Sequence, residues 1–424
     1  MFRRHLLLLT VIQFFTSTSF AVLPPAAQSQ LNRIGGKLTV DFVIAQAAGV
    51  SDSFQVVDSA KYRIPQGEYL GLATTEFKLF GSVGQTHDKR DNQYLINGKS
   101  YDELNSKSTE IGATALLPTG TTFTASLEEA YQNYETTFST VTSEIDGYED
   151  TITFEVSQSL LNNAFGYGTL KGIRAGQLST EADENRFKSS VSEWSVSLAE
   201  QFYLAWNLQQ QVIAARDGLQ RRRKLLEATK LKLGRGTAER PDLLQTESAH
   251  LASEVQLQEA EQKLAELWRQ LVIQLKLPRE WMAIDATQIP MELDEPYFKA
   301  LQLCGPRSNL NNAPTENLKT KEYELRAEAA DLKVDKASNS LLPDVKLVGQ
   351  YFSNGLDDEK GQEAYSDAKE FDKTGYYIGA TVEIPFGRYK EKADLSQARA
   401  EKYSAEASAS MERSNLQVNW INDC

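Results

Sequence analysis

Cysteine is nearly missing from this 424-residue chain, which holds only Cys304 and the terminal Cys424. Two thiols so placed build no disulfide framework, and the fold must rest on packing and hydrogen bonds. Histidine is as scarce: His5, His87 and His250 have no Cys or acidic cluster beside them at metal-ligand spacing. The tripeptides GYG (166–168) and GRG (234–236) lack the further glycines and the lysine of a phosphate loop, and read as helix-boundary glycines. The acidic pairs Glu128-Glu129 and Asp357-Asp358 mark solvated ends. We therefore expect no enzyme: no catalytic residue, no cofactor and no metal. The net charge of −13 excludes a nucleic-acid partner, which requires clustered Lys and Arg on a basic field. The run Arg221 to Lys224 is the one basic cluster, and it falls within a helical pattern as a solvated face. Beyond the first 21 residues there is no apolar run near the roughly 20 residues a spanning helix needs. That leaves open a β-barrel, whose strands alternate and signal weakly.

The chain begins with Arg3, Arg4 and His5, an apolar run from Leu6 to Phe15, and the small-residue exit Ser19-Phe20-Ala21. This order is that of a secretory signal peptide cut after Ala21. Strand patterns follow from about Thr74 to Gln158. Phe77, Leu79 and Gly81 alternate with Glu76, Lys78 and Phe80; two strands flank the turn Pro118-Thr119-Gly120; and Ile152, Phe154 and Val156 alternate with Thr151, Thr153 and Glu155. The segments Thr86–Ser108 and Gln132–Asp146 read as long polar loops. Short turns at one end and long loops at the other suit an outer-membrane barrel, although a soluble antiparallel sheet or sandwich fits these strands equally well.

Helical spacing takes over from about Arg174 to Leu233. Its seam runs through Phe187, Val191, Trp194, Leu198, Phe202, Ala205, Leu208, Val212, Ala215, Leu219 and Leu226, with Tyr203, Trp206 and Ile213 off it. At 1.5 Å per residue such a helix spans on the order of 90 Å. Gly234 and Gly236 are placed to end it, and Pro241-Asp242 suits the first turn of a return helix to Leu277. That helix is given a seam of Leu244, Leu251, Val255, Leu264, Leu267, Leu271 and Leu275. So short a connection makes the pair antiparallel. After an irregular stretch with Pro290, Pro296, Pro306 and Pro314, the order recurs: a helix over Thr315–Ser340, a strand over Asp344–Phe352, a polar loop over Ser353–Lys373, a strand to Pro385, and a helix to Trp420. FEVSQSLLNNAFGYG (154–168) corresponds to VEIPFGRYK (382–390), and LAW (204–206) resembles VNW (418–420), which indicates a duplicated unit. On this alignment the second α-hairpin lacks its tip and return helix, on the order of 70 residues.

SQSLLNNAFGYG after a strand, LGRGTAERPDLLQTES between long helices, and ASNSLLPDVKLVGQYF and VEIPFG in the second half resemble the outer membrane efflux protein family, the TolC-like channels. The likeness covers the chain from about residue 109, and lies in the order and spacing of short motifs. It implies an α+β membrane protein in which antiparallel transmembrane β-barrel strands join long periplasmic antiparallel α-helical hairpins (coiled coil). There would be two tandem structural repeats, the second incomplete. The implied divisions are a signal peptide (1–21), an N-terminal periplasmic segment (22–73), a first β-barrel strand region (74–158), a first α-hairpin (159–278), a linker and helix (279–343), a second strand region (344–387) and the start of a second α-hairpin (388–424). The Pro118-Thr119-Gly120 hairpin is more strand than the simplest family pattern holds.

The resemblance further implies a passive channel in the outer membrane of a Gram-negative cell, with a large periplasmic extension. Its partners would be two further copies in a homotrimer, outer-membrane lipid, a periplasmic adaptor (membrane fusion) protein, and an inner-membrane pump or ABC exporter, in efflux or type I secretion. The adaptor contacts would fall on Leu233, Gly234, Arg235, Gly236, Thr237, Arg240, Asp242 and Leu243 at the helical tip. The competing reading is a soluble periplasmic coiled-coil adaptor or scaffold, which typically carries one hairpin flanked by halves of a β-domain instead of a tandem unit.

Overall fold

A computed structural model describes residues 37–88, 101–138, 141–283, 285–293 and 314–423. The signal-peptide assignment, Cys304, Cys424, Pro296 and Pro306 lie outside the described residues. Among the described residues the chain separates into two compact units, one within 63–184 and 319–416, the other within 37–62, 185–318 and 417–423.

The first unit is built on a six-stranded antiparallel sheet in chain order: β1 (Lys78–Asp88), β2 (Tyr101–Leu116), β3 (Thr121–Phe138), β4 (Val141–Ser159), β5 (Asp344–Asp357) and β6 (Thr374–Glu383). The β2–β3 turn falls where Pro118 and Gly120 place it. Gly120 adopts φ +74° and donates its N–H to Leu117 O at 2.9 Å. The chain leaves β4 through a second left-handed turn, with Asn163 at φ 58°, Phe165 at 49° and Gly166 at 77°. The two turns nest so tightly that a Cβ on Gly166 would stand 1.7 Å from Pro118 O. Only glycine satisfies both the backbone angle and that approach.

Three loop assignments are corrected: of Thr86–Ser108, residues 86–88 end β1 and 101–108 begin β2, pairing Thr86↔Ser106 and Asp88↔Leu104, and 89–100 lie outside the described residues. β3 and β4 pair without a break from Thr121↔Gln158 to Phe138↔Val141, so most of Gln132–Asp146 is strand. The ladder satisfies backbone groups whatever the side chains are, and Asn133 Nδ2 donates to Glu144 Oε1 at 3.1 Å, so polar composition did not mark the end of pairing. The segment Ser353–Lys373 likewise holds the end of β5 and a helix, Gly361–Glu370, that folds back onto the sheet.

Helices also appear where no element was anticipated. α1 (Val40–Val50) is capped by Thr39, whose Oγ1 accepts from Phe42 N. α2 (Asp52–Ser59) is capped by Ser51, and α3 spans Gln66–Leu72. α3 belongs to the first unit and meets α4 (Tyr167–Gly234) glycine to glycine: a Cβ on Gly67 would lie 2.7 Å from Gly176 O. α6 (Leu318–Asn339) packs Ala329 with Ala175 and Leu178 of α4. The helix after β5 is α7 (Gly361–Glu370), and α8 (Tyr389–Asp423) follows β6.

The second unit has its own core. Leu38, Val43 and Ala47 pack with Leu198, Phe202, Ala205 and Val212 of α4, and with Leu264, Trp268, Leu271 and Val272 of α5 (Arg240–Gln274). Gln209 donates to both Ala286 O and Ile289 O at 2.7 Å. Arg216 reaches Glu261 at 2.8 Å and Asp285 at 3.0 Å, tying α4, α5 and the following segment together. The pairing of residue 216 with 261 makes the hairpin antiparallel.

The α4 seam is buried or half-buried throughout. On α5 the tipward seam is corrected: Leu244, Leu251 and Val255 are exposed, and Leu243, His250, Ser253, Leu257 and Ala260 lie inward. Both sets repeat at heptad spacing, so periodicity alone could not tell the buried row from its neighbour.

Gly166→Ala should lower the unfolding free energy by about 1–3 kcal/mol through backbone strain, before any clash. Gly218→Ala, in α4 with nothing within 4 Å of the new methyl, should raise it by about 0.5–1 kcal/mol. Denaturant unfolding of the two variants beside the parent checks both signs.

Candidate functional site

Two surfaces stand out, each within its own unit: one face of the sheet, and the turn between α4 and α5.

The register divides the sheet by polarity. In one row Leu79 opposes Ala113, which opposes Ala125, then Phe154, Tyr351 and Tyr376 across all six strands. A parallel row runs Ala115, Phe123, Val156, Gly349 and Ile378. Directly opposed residues share a face and successive residues alternate, so these rows form one apolar surface. The rows between them are polar: Lys78, Thr114, Thr124, Glu155, Gln350 and Tyr377 stand opposed in order. Thr114 and Thr124 hydroxyls lie 3.0 Å apart, and Gln350 Nε2 donates to Glu155 Oε2 at 2.6 Å, so this face is cross-linked by hydrogen bonds. Where glycines thin it, rings fill the gap, Phe80 over Gly112 and Phe352 over Gly375.

The apolar face is open. Leu79 is 79% exposed, Val83 84%, Ile378 72% and Val382 63%. So much contiguous apolar surface marks a site for lipid or protein. The apolar face stops at the row Val83, Thr109, Glu129, Asp150 and Gly355, where charge enters it. β1 and β6 are the edge strands among the described residues, each with one side of its backbone ladder unpaired.

The tip residues are brought together as expected, in a tighter turn than two glycines suggested. Only Gly236 is left-handed, at φ 69°; Gly234 is the last residue of α4. Gly236 N–H donates to Leu233 O at 3.0 Å and Thr237 N–H to Lys232 O at 2.9 Å, the paired bonds that close a helix on a glycine. Three residues later the return helix is capped reciprocally: Glu239 receives the Asp242 N–H, and Asp242 Oδ2 accepts from Glu239 N at 3.0 Å. Pro241 lies in the first turn, where its missing N–H costs nothing. Gly234, Arg235, Gly236, Thr237, Arg240 and Asp242 are exposed, while Leu233 and Leu243 are half-buried beneath them. Sequence reading missed Glu239, although Glu followed by Asp three residues on is a legible capping signal. It also gives Leu244, Leu251 and Val255 to the buried seam, whereas with Leu231 they form an exposed apolar row.

A sheet apolar on one face and hydrogen-bonded on the other, in a chain that also folds a long antiparallel helical hairpin, resembles the fold of outer-membrane channels. Comparison with solved structures agrees. The chain aligns with the outer membrane protein VceC of Vibrio cholerae at TM-score 0.56 and 15% identity, over 89% of this chain and 75% of that one. It aligns with CusC, solved in a study of folding and transmembrane channel formation, at 0.58 and 13%, over 90% and 74%. With the outer membrane channel CmeC of Campylobacter jejuni the values are 0.54 and 12%, over 88% and 67%. These are outer-membrane efflux channels of the TolC-like kind, the resemblance drawn from the motifs, and at such identities the likeness is one of fold. No protein-family model and no curated protein sequence matches the chain. No helix among the described residues is long and apolar enough to cross a membrane.

Asp242→Ala removes one half of the reciprocal cap. Amide exchange in the first turn of α5 should quicken about fivefold, corresponding to about 1 kcal/mol, with the α4 core around Phe202 unchanged; hydrogen exchange read by mass spectrometry resolves the two.

Proposed function

We propose that the protein is an outer-membrane channel, a passive conduit of a tripartite efflux pump or type I secretion system. The observation that carries this reading is the one-sided register of the sheet. A soluble adaptor or scaffold would have to cover Leu79, Phe154, Tyr351 and Ile378 from water. In a bilayer the same face meets acyl chains, and the hydrogen-bonded face of Thr114, Glu155 and Gln350 meets an aqueous lumen. Unpaired ladders on β1 and β6 support closure by further copies, since open strand edges do not persist in hydrocarbon. The homotrimer implied by the family resemblance supplies those copies, and the exposed Leu244–Leu251–Val255 row of α5 offers them a helical seam. The tandem repeat is read the same way, with β1–β4 from the first unit of sequence and β5–β6 from the second.

The turn at Leu233–Leu243 is proposed as the adaptor-docking tip. Arg235 and Arg240 offer exposed cations on a rigidly capped turn, and cations of this kind steer and register a protein partner. Nothing in this reading uses chemistry: cargo passes, and the work is done by an inner-membrane pump or ABC exporter.

Membrane insertion tests the sheet. Val156→Arg, on the apolar face, should cost about 2–4 kcal/mol of insertion and deplete the protein from the outer-membrane fraction. Thr153→Arg, on the opposite face, should leave that fraction intact. Equal fractions for both variants would contradict the reading. For the tip, Arg235→Glu with Arg240→Glu should weaken adaptor capture at least tenfold and leave membrane insertion unaffected. Unchanged capture would return the turn to an ordinary helix reversal.

A further inference from the structure

The apolar face of the sheet ends under α7, and the way it ends is unusual. α7 lays Ala364 and Ala368, both fully buried, over Gly355 of β5. Ser353 Oγ donates to Ala368 O at 2.8 Å, and Phe371, at φ 54°, stacks over Tyr351 and Phe154 with ring centroids 6.3 and 6.4 Å apart. Gly355 is obligatory, since a Cβ there would lie 2.0 Å from Ala364 O. Directly across the ladder from Gly355 stands Asp150, 1% exposed, whose Oδ2 has no hydrogen-bond partner. Its other cross-strand neighbour is Glu129 of β3, and a Cβ on Gly361 at the start of α7 would lie 2.9 Å from Glu129 Oε2.

Asp150 stands in the row where the apolar band has ended, outside the stretch read as meeting acyl chains, and a carboxyl buried there is held against its own ionisation. Burial, and next the Glu129 charge, push Asp150 from the usual 3.8 up to about 6. No cation is among the groups that shift it: Lys369 of α7 is exposed, and Asp357, next on the same face of β5, accepts from the Glu359 and Lys360 N–H groups. On β5 the opposed residue is glycine. On α7 the charged group over Gly355 is Asp367, which is bonded to Lys373 at 3.1 Å, and Lys360 is bonded to Glu363 at 2.8 Å. Asn354 Nδ2 is turned to Glu149, on the opposite face from Asp150.

We propose that α7 is a pH-responsive strap, docked on the sheet when Asp150 is neutral and loosened when it ionises. Undocking exposes Asp150 to water, where it regains an ordinary carboxyl acidity. Because the docked value lies above the free one, ionisation opposes docking. The strap is held most firmly below the free value, and that advantage is lost as pH rises through about 6. Phe154 and Tyr351, now under Phe371, are the groups released, so the strap sets how much of the apolar face is open at its charged boundary. The device does not rest on the channel reading, since it needs only the sheet and α7.

Hydrogen exchange of the full chain in detergent, with intrinsic rates corrected for pH, tests this. Protection of the Gly361–Glu370 amides should be about tenfold greater near pH 5 than near pH 7.5, the ratio that a shift from 3.8 to about 6 produces. The β3–β4 amides serve as the internal standard and should not change. Asp150→Asn, neutral and of the same shape, should keep α7 protected at both pH values and abolish the ratio. Glu129→Gln should move the transition to lower pH. A ratio near one in the parent chain, or a ratio that survives in Asp150→Asn, would overturn the proposal.

Discussion

The constraint on which the first unit depends is the register of its six strands. Because side chains alternate and opposed residues share a face, one setting of the ladder collects Leu79, Phe154, Tyr351 and Tyr376 on one side and Lys78, Glu155, Gln350 and Tyr377 on the other. A slip of one residue in any strand would exchange its two sets and put Glu155 among the aromatics. The register is defended at both ends. The nested turns at Gly120 and Gly166 lock one end by backbone contact, and α7 with Ser353 and Gly355 locks the other.

The helical unit follows a different rule. Its core is ordinary side-chain packing, centred on Phe202, Trp268 and Leu271, with Gln209 and Arg216 fixing the following segment by hydrogen bonds to backbone and carboxylates. Towards the tip the two helices carry less buried apolar surface, and an exposed row of leucines and valine lies beside the inward one. Stability therefore resides near the core, while the tip depends on its caps. The proposed docking role is compatible with this, since a partner's contact would supply what the isolated hairpin lacks.

Much of this was legible in the sequence, and what escaped did so for physical reasons. The α4 seam, the reversal at Gly236, the Pro118 turn and the alternation of β4 were all readable, because each combines periodicity with a residue of restricted or permissive backbone. The buried row on α5 is not legible because two heptad rows of similar residues lie side by side, and packing, not spacing, selects between them. The polar strand ends read as loops because hydrogen-bonded ladders accept polar side chains on both faces. α7 was missed because its buried face is two alanines, too small to register as an apolar stripe. The Asp150 pocket was invisible for a simpler reason: β3, β4, β5 and α7 meet there from positions far apart in the chain.

The division of the sheet into a lipid face and an aqueous face is the central claim, and depth-dependent quenching tests it directly. A small fluorescent probe is placed in turn at Thr153, Phe154, Glu155 and Val156 of β4 in the membrane-embedded protein, and challenged with acyl-chain quenchers and with a water-soluble one. The account predicts strict alternation, with lipid quenching at 154 and 156 and aqueous quenching at 153 and 155. Aqueous quenching at all four positions would contradict it.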